Sequence, residues 1–309
     1  MIISFHCDIN LPNYLYNPNS YKYLHGRHSA TGYYYWILKN HGLNVYLNHP
    51  NPDVIIFHYD NRNEIKSFNC KKIQIVTDRP MVEGCDFYIA ANQSFFNKVT
   101  DFNLISRYGI ENTLNTWVKN KEKWRFIHYP PTFGVKECNP SFPVVNFKFV
   151  GRNHTNIKDL YDPVFIDKCI KLGINLIFDF ENDANDGTED VYFCIRNVKD
   201  IGKMTGKDNN SGKYGHRTAN RLYQAWKMRT PAIFNNSPEM AAIRTSEYDF
   251  LVANNTKEFI QQALRLKTDK NLFDSMISHA IIMDKINPYV NITIVVNQWK
   301  ELFKELCQQ

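Results

Sequence analysis

The sequence contains no C-x-x-C pair and no apolar run near the roughly 20 residues that cross a bilayer. Its start, MIISFHCDINLPNYLYN, lacks a basic stretch followed by a long apolar one. These absences argue against the common structural zinc sites, a spanning helix and a secretory leader. The seven cysteines (Cys7, Cys70, Cys85, Cys138, Cys169, Cys194, Cys307) are odd in number and scattered, a pattern that points to reduced thiols in a cytoplasmic protein. No G-x-G-x-x-G follows a predicted strand, which weakens the case for a nicotinamide-dependent dehydrogenase, and no G-x-x-x-x-G-K-[ST] supports a phosphate-loop NTPase. There is also no D-x-D and no cluster of Asp and His at ligand spacing, so neither a metal nor another cofactor is expected.

What is present is a core-rich globular composition: 43% hydrophobic, 14% aromatic and 22% charged residues. The 309 residues suit two domains, taking about 150 residues as a soft domain size. The formal charge of +6 is compatible with an anionic ligand, a nucleic acid, or peripheral contact with an acidic membrane surface. Charge alone does not choose among them.

In the first half, apolar runs at 2–6, 44–47, 53–58, 72–77 and 86–90 read as strands covered on both faces. Between the first two lies 28–40 (HSATGYYYWILKN), a helix stopped by His41-Gly42. Its aromatic run, Tyr33 to Trp36, points around the helix and is expected mainly to fill core. The segment 127–143 (IHYPPTFGVKECNPSFP), with four prolines and no periodicity, reads as a linker. Beyond it the alternation restarts, with strands at 146–150, 175–180, 191–195, 232–234 and 250–253 and helices at 162–172, 218–228 and 257–267. A last helix begins near Pro288, with Val295, Trp299, Leu302 and Leu306 on one face. The expected division is 1–143, 144–287 and a closing helix, 288–309, that returns to the first domain.

The most informative stretch is Lys213-Tyr-Gly-His-Arg-Thr-Ala-Asn-Arg-Leu-Tyr-Gln-Ala-Trp-Lys-Met-Arg-Thr-Pro-Ala-Ile-Phe234. A basic cluster enters a helix whose Leu222, Ala225 and Trp226 face a core, and the helix runs directly into a strand. Arg217 and Arg221 are one helical turn apart, on one face. Arg152 and Arg196 stand at predicted strand ends, where open α/β sheets bind ligands. Guanidinium forks match phosphate oxygens, and a helix N-terminus adds to their field. An isolated arginine on a helix is more often a solvated residue. Here four of them converge on one predicted crevice.

This stretch resembles the K-P-x-x-K-L-x-N-A-W-x-A-G-x-P-A-I segment of GT-B glycosyltransferases of the group 1 kind. Arg217 and Arg221 stand at its basic positions, and Arg229 to Ile233 stand at the turn. Thr218 replaces the proline, and Arg229 replaces the small residue. Phe149-Val150-Gly151-Arg152, the strand 191–196 (VYFCIR), Ser246 to Phe250 and 257–276 resemble neighbouring family segments, so the likeness covers most of 146–303. It implies an α/β fold of two Rossmann-like domains facing each other across a cleft, with the last helix crossing back to the first domain. It also implies transfer of a sugar, without a metal, from a nucleotide sugar to a glycan, glycoprotein or glycolipid acceptor.

The donor site implied by the resemblance comprises Arg152, Arg196, Arg217, Asn220, Arg221 and Glu239. For Glu239 two readings stand: a carboxylate for ribose hydroxyls, and a first-turn glutamate favoured by a helix dipole. Asp249 reads as a local cap. On the first domain, His28 and Asp78 are the candidates for the base that takes the acceptor proton. Alternatively, His28 caps its helix or packs on Tyr33, and Asp78 is a turn residue before Pro80. A nucleic-acid partner is disfavoured because the basic residues lie on buried-looking elements rather than in an exposed stripe. A catalytically inactive two-domain binder of nucleotides or sugars is the alternative function.

Overall fold

The computed structural model describes residues 1–7, 29–76, 81–91, 93–100, 121–129, 135–150, 157–179, 189–195, 219–287 and 291–308. At positions 29, 30, 60, 93, 94, 98, 99, 150, 238 and 239 it describes the backbone alone. Two parallel sheets carry the chain.

The first sheet comprises β1 (Ile3–His6), β2 (Val45–Leu47), β3 (Val54–His58), β4 (Lys71–Val76), β5 (Phe87–Ala90) and β6 (Trp124–Phe126), in the order β2-β1-β3-β4-β5-β6. All its pairings are parallel. Helix α1 (Ser29–Asn40) connects β1 to β2, the short α2 (Arg62–Ile65) follows β3, and α3 (Gln93–Thr100) follows β5. Gly42 just past α1 has φ of 76°, the left-handed conformation that closes a helix end and that glycine adopts without Cβ strain. Its N–H reaches back to the Lys39 carbonyl at 3.1 Å.

The second sheet comprises β7 (Asn146–Val150), β8 (Asn175–Asp179), β9 (Val191–Cys194), β10 (Ala232–Phe234) and β11 (Leu251–Val252), in the order β11-β10-β9-β7-β8, again all parallel. Its helices are α4 (Pro163–Lys171), α5 (Asn220–Met228), the short α6 (Pro238–Ala241), α7 (Thr256–Thr268) and α8 (Lys270–Ile286). Local chemistry sets their starts. Asp162 caps α4 by accepting from Val164 N, with Pro163 at the first helical position. Asn255 caps α7 by accepting from Glu258 N, and the Glu258 side chain accepts in return from the Asn255 amide and from Asn254 N.

Each sheet has its own core. In the second, Phe259 of α7 lies against Phe147, Phe165 and Phe193. In the first, Phe5, Tyr34, Ile56, Ile73 and Ile89 form a cluster that also takes Val295, Trp299, Leu302 and Leu306 of the last helix, α9 (Ile292–Gln308). The chain therefore ends packed against the sheet with which it began. Tyr33, Tyr34 and Tyr35 are buried in this cluster, and Trp36 packs at its edge. Among the described residues no helix is long and apolar enough to cross a membrane.

Candidate active site

The path of the chain reverses strand order within the second sheet. From β7 it moves outward to β8, then returns to place β9 on the other side of β7. Strand order reverses between β7 and β9, and ligands bind open α/β sheets at such a point. Helix α5 brings charge there. Leu222, Tyr223, Gln224, Ala225, Trp226 and Met228 are buried, which fixes the roll of the helix and leaves Arg221 half-buried at its first turn.

The Arg221 guanidinium is held on the sheet. Its Nη1 donates to the Tyr192 hydroxyl at 2.5 Å and to Gln224 Oε1 at 3.3 Å. The Tyr192 hydroxyl in turn donates to the same Gln224 oxygen at 2.9 Å. The Phe149 ring of β7 lies 5.7 Å from the guanidinium carbon. Hydrogen bonds to a charged group are stronger than neutral ones, so this arrangement is more rigid than a cation on a free stem. Beside it, Asn220 Oδ1 is buried and accepts no hydrogen bond among the described residues.

Sequence reasoning missed Tyr192 and Gln224, which sit in runs that read as core. It also missed Lys148, which lies in register with Tyr192 and is only 3% exposed. Its ammonium is 3.3 Å from the buried Glu189 carboxylate and 3.9 Å from Asp179, and the Cys138 thiol donates to Glu189 at 3.2 Å. A lysine inside the apolar run NFKFV, with Glu189-Asp190 just before the next strand, was the available signal. Burial of the ammonium requires such a partner.

Of the other donor-side residues named from sequence, Glu239 lies in the first turn of α6, with its side chain outside the described set. Arg152, Arg196 and Arg217 lie outside the described residues altogether, as does the loop 207–212. Helix α5 begins at Asn220, two residues later than the expected start at Thr218. Asp249 is buried and local: it accepts from Thr245 N at 2.7 Å and Ser246 N at 2.8 Å, and it pairs with His279 at 2.7 Å.

On the first sheet, order reverses between β1 and β3, whose last residues are His6 and His58. His6 Nε2 and the Glu64 carboxylate are 2.7 Å apart, while His6 Nδ1 is buried with no partner among the described residues. The two acceptor-side candidates, His28 and Asp78, lie outside the described residues. Among the described residues, no three His, Cys, Asp or Glu side chains group as a metal site would require.

No protein-family model matches the chain, and no curated sequence matches it. Solved structures do. HepE of Anabaena, in complex with UDP, superposes over 99% of this chain and 100% of its own, with a TM-score of 0.56 at 10% identity. The pneumococcal O-GlcNAc transferase GtfA, in complex with UDP and GlcNAc, matches 91% of this chain and 60% of its own, with a TM-score of 0.52 at 10% identity. TarM of S. aureus, in complex with Fondaparinux, alpha-GlcNAc-glycerol and UDP, matches 81% of this chain and 55% of its own, with a TM-score of 0.51 at 10% identity. At such identities the likeness is one of architecture, and it shows that this chain has the two-Rossmann GT-B fold with a closing helix on the first sheet.

Proposed function

We propose that the chain is a glycosyltransferase that moves a sugar from a UDP-sugar to a hydroxyl of a glycan, glycoprotein or glycolipid, without a metal. The observation that carries the reading is the arginine fixed at the β7–β9 reversal. Departure of the nucleotide leaves about two negative charges on a pyrophosphate, and a preorganised guanidinium stabilises them as they develop. Support for UDP comes from the structures of the same fold, which hold it.

In this reading 144–287 holds the donor, 1–143 the acceptor, and 288–309 ties the two together. Arg152, Arg196 and Arg217 join Arg221 at the phosphates, while Asn220 and Glu239 face the nucleoside. The acceptor oxygen bonds to the anomeric carbon, the bond from that carbon to the nucleotide oxygen breaks, and His28 or Asp78 takes the acceptor proton. The transferred group is a hexose or a pentose.

A thermal-shift series with UDP, GDP, ADP, CMP and TDP tests the donor. UDP at 100 times its Kd adds about 2.7 kcal/mol to a protein that binds it only when folded. A clear upward shift with UDP is expected. No shift with any nucleotide would overturn the proposal.

A further inference from the structure

We propose that Tyr192 and Gln224 are positioning residues: they set the plane of the Arg221 guanidinium toward the donor diphosphate, and they make arginine rather than lysine necessary at this place. The inference rests on the glycosyltransferase reading above.

The three hydrogen bonds form a triangle in which Arg221 only donates, Gln224 Oε1 only accepts and the Tyr192 hydroxyl does both. Tyr192 gives its hydroxyl proton to Gln224 Oε1 at 2.9 Å, so its oxygen is left to accept from Arg221 Nη1 at 2.5 Å. Gln224 Oε1 accepts from the same nitrogen at 3.3 Å. Nη1 is therefore bound on the protein side by two acceptors that also fix each other.

Both acceptors are buried. Tyr192 lies in register between Lys148 of β7 and Ala232 of β10, with its ring edge-on to Phe234 at 5.7 Å. Gln224 is buried and one helical turn beyond Arg221. A guanidinium is planar, so two acceptors on one of its nitrogens restrict the directions in which the remaining N–H groups can point. An ammonium bound by the same two acceptors has no plane to set, and its stem can turn about them. Neither acceptor needs to touch the donor to act: each acts through Arg221.

Calorimetric titration of the full chain with UDP, and separately with uridine, tests this. Tyr192→Phe and Gln224→Leu are each expected to weaken UDP by about 5- to 10-fold, the scale of ordering one long side chain. Uridine, which lacks the phosphates, should bind each variant as it binds the wild type. Arg221→Lys should fall to the level of Arg221→Ala, and Tyr192→Phe should have no further effect in the Arg221→Ala background. Tyr192→Phe removes a single oxygen, so it decides the matter alone if Gln224→Leu does not fold.

Three results would overturn the proposal. If Arg221→Ala weakens UDP while Tyr192→Phe does not, Arg221 acts unaided and the glycosyltransferase reading stands. If uridine weakens in parallel with UDP, the two residues support the domain rather than the cation. If the wild type binds neither UDP nor uridine, the UDP reading falls together with the proposal.

Discussion

Arg125 on β6 and Glu305 on α9 stand 180 residues apart in sequence and form an ion pair, with Arg125 Nε donating to Glu305 Oε2 at 2.9 Å and Nη2 to Oε1. The pair joins the last helix to the edge strand of the first sheet. Lys71 and Gln298 add to the seam, reaching the Leu306 carbonyl and His128 respectively. Burial holds the His128 imidazole below its ordinary pKa, against the opposing effect of its hydrogen bond to Gln298.

The Arg125 hydrogen bonds hold the Glu305 carboxyl below the usual carboxylate range. A depressed folded-state pKa contributes stability that is present above the unfolded value and is lost as pH falls through the folded one. Glu305→Gln should therefore lower the melting temperature at pH 7, and the gap to wild type should close below about pH 4, the range of an ordinary glutamate. A gap independent of pH would mean that the carboxylate charge is not what matters. Both side chains are about a third exposed, which limits the effect.

Trp299 is fully buried against Phe5, Tyr34 and Phe303, and its indole nitrogen has no hydrogen-bond partner among the described residues. Chemical unfolding should show a loss of about 3–5 kcal/mol for Trp299→Ala. For Trp299→Phe the loss should stay under about 2 kcal/mol, because most of the packing remains and no hydrogen bond is lost. Deleting 288–309 should cost more than either substitution. Equal stability of Trp299→Ala and wild type would remove α9 from the first core.

Arg229 adopts a left-handed conformation, φ 57°, at the end of α5, where a side chain is strained and glycine is not. Its guanidinium meets Glu137 at 2.7 Å and the buried Asp284 at 3.3 Å, which offsets the strain. Arg229→Gly gives up the pairs but relieves the backbone, whereas Arg229→Ala gives up the pairs and keeps the strain. Melting temperatures should rank Arg229→Gly above Arg229→Ala, by about 1 kcal/mol in stability. The reverse order would show that the backbone carries no strain there.

Most strands were legible because their apolar runs are continuous, as at Val54–His58 and Val191–Cys194, and α1 because Gly42 marks its end. Strand β6 was not, since three residues, Trp124–Phe126, following the charged stretch 119–123 show no period. At the candidate site, Arg221 could be singled out from its spacing and its helix, but its hydrogen bonds to Tyr192 and Gln224 could not be read there. Tyr192 lies in an apolar run, and only the pairing of β9 with its neighbours and the roll of α5 bring its hydroxyl to the guanidinium. The same applies to Lys148 and Glu189, which are distant in sequence and joined across the sheet.

The candidates for the acceptor proton differ in what they should do to the rate. If His28 is the base, His28→Ala should lower kcat by about 100-fold or more with little change in UDP affinity. Unchanged turnover with a lowered melting temperature would assign His28 to capping α1 and move the role to Asp78.

The most direct measurement is UDP release from a panel of UDP-sugars with glycan acceptors, in the presence of EDTA, for the wild type and Arg221→Ala. The account predicts acceptor-dependent release that EDTA does not diminish, with kcat/KM falling about 100- to 1,000-fold in Arg221→Ala, the scale for loss of one preorganised charge donor. Release that stops with EDTA and returns with Mg²⁺ or Mn²⁺, or an Arg221→Ala variant as active as the wild type, would contradict it.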